Sequence, residues 1–389
     1  MKYYAGYITA AIFGAITWVL MRFGEQFTNL VDMVYPYVIR TLQDILAQWS
    51  SGVDFLIWQL LAIVLVVIIL ATLVLVLIFK RSVIGWAGWV LSAIACIYML
   101  HTMVYGLNYY AGDLADDLRL EVAQYTLEEL ADATTYYRDR ANILAEMVNR
   151  DSSGNVDFQD FDTLAAQAHQ GFDKLTYDRS FSVFAGSKVP VKKLGLADMY
   201  TSMGITGYTF GLTGEAAVNP QIPDVTLPFT MLHEMAHRMC IAPERDANFA
   251  AYLACSVHPS VEFEYSGSFM AYLYCYNALS QISTSTSIQA ANEINKGVSD
   301  LLRQDMAHYN TFFISNRNQA ATDFADTVND NYLKTSGDNS GIASYGQVCD
   351  LLVNWHIQEI VLPSITVKDE VFDPYDERQV DLSGIANAR

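Results

Sequence analysis

LPFTMLHEMAHRMC, residues 227–240, carries His233-Glu234-Met235-Ala236-His237. On a helix, residues four apart share a face, so both imidazoles can point at one ion. Pro228 suits the first turn of such a helix and Pro243 ends it. Glu234 sits one residue round from His233, within reach of a water on the ion without being a ligand itself. Catalytic zinc takes three protein ligands and keeps one position for that water, whose pKa falls toward about 7. Glu234 is then the base that accepts its proton. The apolar neighbours Met231, Leu232, Met235 and Ala236 fit the buried helix that such a site needs.

The next segment, ERDANFAAYLAC (residues 244–255), follows Pro243 and reads as a second helix that can swing a carboxylate back to complete the shell. Asp246 and Glu244 are the candidates. They lie two residues apart and therefore on different faces. Asp246 is taken as the third ligand, giving a Zn2+ set of His233, His237 and Asp246.

Outward toward the N-terminus the text becomes apolar. Residues 3–21 and 55–79 carry no charge, and residues 83–105 hold only His101 among strongly titratable groups. Each run reaches the roughly 20 residues that cross a bilayer as a helix. LLAIVLVVIILATLVLVLIF (residues 60–79) is too uniformly apolar for a core helix. Lys80 and Arg81 stand between the second and third runs without a nearby acid, which places them on the cytoplasmic side. The third run then exits outward, so everything after about Gly112 is expected outside the cell membrane. No small-residue cleavage site follows the first run, which reads as a retained anchor. Residues 1–112 form a membrane region, 113–362 a globular domain and 363–389 an extended tail.

The chain has 389 residues, 23 Lys+Arg and 42 Asp+Glu, a net charge of −19 and a hydrophobic share of 52%. Only Glu25, Asp32, Asp44 and Asp54 among the acids precede residue 113, so the domain carries the negative charge. That balance excludes nucleic acid as main partner, and the apolar content excludes disorder. Tyr125–Arg150 shows helical spacing behind a Thr126 cap signal, Phe158–Leu175 reads as one helix, and Thr206–Asn219 alternates like a hairpin. Helices return over Phe229–Ile282, Ser287–Phe313 and Tyr345–Ile360. The expected fold is three transmembrane helices followed by a mainly α (α+β) zincin-like domain with a small β-hairpin or sheet. Glu215–Asn219, just upstream of the HEMAH helix, could be the edge strand that pairs with an extended substrate.

The chain resembles a family of uncharacterised bacterial three-span membrane proteins with a zincin-like domain of unknown function. The likeness runs from Tyr105-Gly-Leu-Asn-Tyr-Tyr110 almost to Trp355. It includes Met203–Gly207, Thr213–Asn219, the HEMAH stretch, Asp246-Ala-Asn-Phe249, Tyr265-Ser-Gly267, Val328-Asn-Asp330, Tyr332-Leu-Lys334 and Ser344-Tyr-Gly346. The family typically carries Glu where this chain has Asp246, and Gly where it has Cys240. Asp is one methylene shorter, so the second helix must sit closer, or Glu244 or a water fills the position. Tyr345 first and Tyr265 second are candidates to stabilise charge on a scissile carbonyl, because both lie in family-like segments. His258, His308 and His356 are further possible donors.

The reading is a membrane-anchored zinc metallohydrolase of the metallopeptidase kind, with the lipid bilayer and a peptide or protein substrate as partners. A cell-wall amidase would use the same metal chemistry. A non-catalytic scaffold or sensor would close the zinc shell structurally, with Cys240 as fourth ligand. Cys240, Cys255, Cys275 and Cys349 are read as thiols rather than as bridges.

Overall fold

The computed structural model describes residues 4–186, 188–336 and 347–361; the expected C-terminal tail and Tyr345 lie outside the described residues. The protein is mostly helical with one small three-stranded sheet. Three helices are long and apolar enough to cross a membrane: Ala5–Arg22, Ile57–Ile78 and Val83–Val104. The first and third pack closely and run parallel. Gly6 lies against Gly88, where a Cβ at Gly6 would come within 2.4 Å of the Gly88 backbone. At the other end the Tyr110 hydroxyl donates to the Met21 carbonyl (2.6 Å). Small residues permit this approach in a lipid phase that gives apolar side chains no reason to associate. The middle helix has no buried residue.

Between the first two of these helices the chain forms Thr28–Val34 and Arg40–Ser50, joined by a π-helical turn over Tyr35–Ile39. This loop docks on the globular part. The Arg40 guanidinium donates to the carbonyls of Met239 (3.2 Å) and Ala185 (3.1 Å), and the Gln43 amide to that of Gly211 (2.8 Å). The loop and the domain therefore share one end of the apolar helices, and Lys80–Arg81 stand at the other.

Thr126 begins the helix Leu127–Ala145 with the expected capping box: Glu129 N–H bonds the Thr126 hydroxyl while the Glu129 carboxylate takes the Thr126 N–H. Phe158–Leu175 is two helices, Phe161–Gln167 and His169–Asp178, which meet at Ala168. The hairpin forms as β2 (Gly207–Phe210) and β3 (Glu215–Val218), turning at Gly214 with φ +66°. A short β1 (Lys192–Lys193), which the sequence reading lacks, adds in parallel to β3. The order is β1-β3-β2. Glu215–Val218 is thus the central strand with both edges paired, not the free edge expected from sequence; the edge beside the HEMAH helix is β2. A helix at Gln319–Thr335 was also unexpected, its helical period hidden by Asp323, Asp326, Asn329 and Asp330.

The core gathers around Leu227–Arg238, buried at every position. It is enclosed by β3, by Glu244–Ser256 and by Val261–Gln281, which in turn packs on Leu127–Ala145. A helix enclosed on all sides can hold charged side chains only where they satisfy one another.

Candidate metal centre

The HEMAH helix ends in a turn that shapes the site. Cys240 takes the left-handed region (φ +70°). Its N–H bonds the His237 carbonyl (3.0 Å), and the Ile241 N–H bonds the Ala236 carbonyl (3.1 Å). These two bonds make a Schellman stop. The stop folds Ile241 back so that its carbonyl oxygen lies 2.9 Å from His237 Nδ1. A backbone acceptor at Nδ1 fixes the tautomer and presents Nε2 to the interior, as metal-bound histidines require.

Only Ala242 and Pro243 then separate Ile241 from the next helix, Glu244–Ser256. Glu244 is its first residue, and side chains there lean toward the helix N-terminus, which brings its carboxylate to the histidines. Glu244 Oε2 lies 3.2 Å from His233 Nε2 and 3.5 Å from His237 Nε2. His233, His237 and Glu244 form the group of potential ligands among the described residues.

Asp246 is not brought there. It points away, accepts the Leu114 N–H (3.3 Å) and pairs with Arg245 (2.9 Å). The correction is geometric: two residues along a helix turn the side chain some 200°, so only one of the two carboxylates can face the histidines.

The donor set fits a zinc ion. Tetrahedral coordination at about 2.0–2.1 Å sets neighbouring donors roughly 3.3 Å apart, close to the separations found here. Glu244 Oε2 is also buried without a hydrogen-bond partner, a cost that a cation would remove. Burial by itself would raise the Glu244 pKa, but the His237 and His233 imidazoles hold it far below the usual carboxylate range. Burial likewise favours neutral His237, yet the Glu244 carboxylate, then Glu234 and the Ile241 carbonyl, raise it to about 9.

Glu234 stands beside this group on the strand side. The Thr209 hydroxyl donates to Glu234 Oε2 (2.7 Å). Gly207 leaves the room: a Cβ there would come within 2.4 Å of Glu234 Oε1. Burial raises the Glu234 pKa against the pull of the two histidines, the direction a proton acceptor near neutrality needs.

The tyrosines differ from expectation. Tyr265 is fully buried and its hydroxyl bonds Asp305, which pairs with Arg150 at 2.8 Å. It braces the helical core and does not face the histidines. A tyrosine that sequence reasoning passed over does. The Tyr105 ring packs edge-on to His237 with centroids 6.4 Å apart. Burial foremost, then Tyr332, Glu244 and Glu234, raise its pKa well above the ordinary value. Tyr332 stands nearby, its hydroxyl 3.2 Å from His101 Nε2 and its ring edge-on to Tyr109. Both open segments quoted for the resemblance, which is the signal in the sequence that points to them. Of the histidines named as further donors, His258 and His356 bond Gln167 and Asp132 instead.

A family model described as "Protein of unknown function (DUF3810)" matches residues 31–353. The chain belongs to that family. No curated protein and no solved structure matches it. The match begins in the docked loop and ends beyond the HEMAH helix, so it takes in the second and third apolar helices and the His233, His237 and Glu244 cluster.

Among the described residues no disulfide forms, and all five cysteines are free. Cys240 does not join the histidines; it lines a neighbouring cavity of about 480 Å³ with Asn108 and Arg40.

Proposed function

We propose that this protein is a membrane-anchored zinc-dependent hydrolase that cuts peptide bonds, with its site on the outer side of the cell membrane. One observation carries the reading: a carboxylate oxygen lies 3.2 and 3.5 Å from two imidazole nitrogens, close to tetrahedral donor spacing, with the Glu234 carboxylate beside them. The cluster holds no fourth side chain among the described residues, which favours a catalytic over a closed structural shell. The placement outside rests on Lys80–Arg81 at the opposite end of the apolar helices.

His233, His237 and Glu244 would hold the ion. When bound, zinc would acidify a water molecule and polarise the substrate carbonyl. Glu234 accepts the proton of that water and passes it to the leaving amine, so one amide C–N bond is exchanged for a carboxylate and an amine. Thr209 holds the Glu234 side chain in place. Tyr105 supplies a phenol that stays protonated and so can donate to charge developing on the carbonyl oxygen. Ile241 keeps His237 in its binding tautomer.

Zinc content of the purified chain, measured beside turnover of a peptide library, tests this. Wild type should hold one ion; His237→Ala and Glu244→Ala should lose it. Glu234→Gln should keep metal and melting temperature while losing hydrolysis. Turnover of muropeptides but not peptides would move the assignment to a cell-wall amidase. Zinc-dependent folding with no Glu234-dependent turnover would make the protein a scaffold.

A further inference from the structure

The metal centre lies where the long apolar helices end. Tyr105, which touches His237, is the first residue beyond Val83–Val104. His101, in that helix's last turn, stacks on Phe210 and contacts Tyr332. On the other side, the Glu215 carboxylate accepts the N–H groups of Ile57 (2.9 Å) and Trp58 (3.0 Å) in the first turn of the middle helix. Gln59 donates to the Gly195 carbonyl (3.1 Å). A helix of 22 residues is about 33 Å long, close to the hydrocarbon thickness of about 30 Å. Both ends therefore fall at the membrane surface, and the sheet is held against them.

β2 is the strand between. Successive side chains of a strand alternate faces: Gly207 and Thr209 meet Glu234, while Tyr208 and Phe210 pack on Trp58, with centroids 5.4 and 5.6 Å away. Hydrogen-bonded and open pairs also alternate. The Asn219 N–H bonds the Thr206 carbonyl (2.8 Å), so in this register Tyr208/Ala217 and Phe210/Glu215 are the bonded pairs. Gly207 and Thr209 then direct their N–H and C=O groups to the outer edge, which no strand among the described residues pairs. The residues beside the base are thus those that offer backbone bonds to an added strand. The rim is apolar: Phe55, Leu196, Met199 and Tyr208 are exposed where the sheet meets the middle helix.

We infer that the substrate is a polypeptide at the point where it leaves the bilayer, lying on the free edge of β2 between Glu234 and the ends of the second and third apolar helices. This rests on the hydrolase reading. A chain emerging from lipid is delivered to β2 at the height of the span ends. A freely soluble peptide would have to reach four groups, His233, Glu234, His237 and Glu244, each less than one-tenth exposed, past an apolar rim.

The full chain in phosphatidylethanolamine–phosphatidylglycerol vesicles tests it. Short random segments are displayed on a single apolar transmembrane helix, either directly or through a flexible spacer of about 40 residues, which holds them roughly 35 Å away; a soluble pool completes the set. The direct pool should be cut at least about tenfold faster than the others, by its high effective concentration at the edge. Trp58→Ala should reduce that preference while metal content is unchanged. Equal cutting of all pools, or faster cutting of the soluble pool, overturns this inference and leaves the hydrolase reading standing. If no pool shows cutting that Glu234→Gln abolishes, the hydrolase reading fails and takes this one with it.

Discussion

Glu215 Oε2, on the central strand of the sheet, accepts the backbone N–H of Trp58 at 3.0 Å. A carboxylate at a helix N-terminus satisfies donors that have no partner within the helix. Lys192 joins it at 2.9 Å with its ammonium largely buried. Removing one member of such a pair leaves the other charge uncompensated. Glu215→Ala should cost about 3–5 kcal/mol, read as a fall in denaturation midpoint. Glu215→Gln should cost less, since a side-chain oxygen remains for Trp58.

The two carboxylates of the second helix should separate cleanly. Glu244→Ala should abolish zinc binding. Asp246→Ala should retain it and instead lose roughly 2 kcal/mol, because the Leu114 N–H is left buried without an acceptor. Metal analysis of both variants beside thermal melting distinguishes this from the assignment made on sequence alone. Zinc loss in Asp246→Ala with zinc kept in Glu244→Ala would reverse it.

Gly207→Ala places a methyl group within 2.4 Å of Glu234 Oε1. The carboxylate must move, whereas the three donors of the metal cluster need not. Turnover should fall by at least about tenfold, since misplacing a catalytic group by an ångström can cost a hundredfold, while zinc stoichiometry stays at the wild-type value. A variant with normal turnover would show that Glu234 does not act from its present position.

Zinc uptake should depend on pH in a defined direction. His237 in the ion-free site has its pKa raised to about 9, so below that value an entering ion must displace its proton. Affinity should rise with pH by about tenfold per unit up to about 9 and level off above it. Without metal the sign is opposite: a pKa raised from 6.5 contributes stability that is complete below 6.5 and lost as pH climbs through about 9. Calorimetry in buffers of different ionisation enthalpy reads the released proton.

Cys240 holds a positive φ of +70°, where a side chain costs about 1 kcal/mol that glycine avoids. Cys240→Gly should therefore be more stable than Cys240→Ala by about that amount, measured as the difference between their denaturation free energies. The half-buried thiol, pushed up to about 11 by burial, should alkylate more slowly at neutral pH in the folded chain than in the unfolded one.

Local pattern carried much of this protein. The three apolar helices, the capping box at Thr126, the hairpin at Gly214 and the HEMAH helix all follow from spacing and turn chemistry within a few residues. Asp246, Tyr265 and the edge strand were misread because each depends on what stands opposite. Glu244 reaches the histidines only because the Schellman stop at Cys240 sets the angle of the next helix. The tyrosine facing His237 comes from residue 105, over a hundred positions upstream.

The sequence by itself determined that two histidines share a helical face with a glutamate beside them, and that three segments are apolar enough to cross a membrane. Both are consequences of periodicity and length, which are local. Only the tertiary structure decided which carboxylate completes the cluster, which strand is left with an open edge, and that the cluster lies against the helix ends. Those depend on packing between distant segments, where the closest approach of two surfaces selects one side chain over its neighbour.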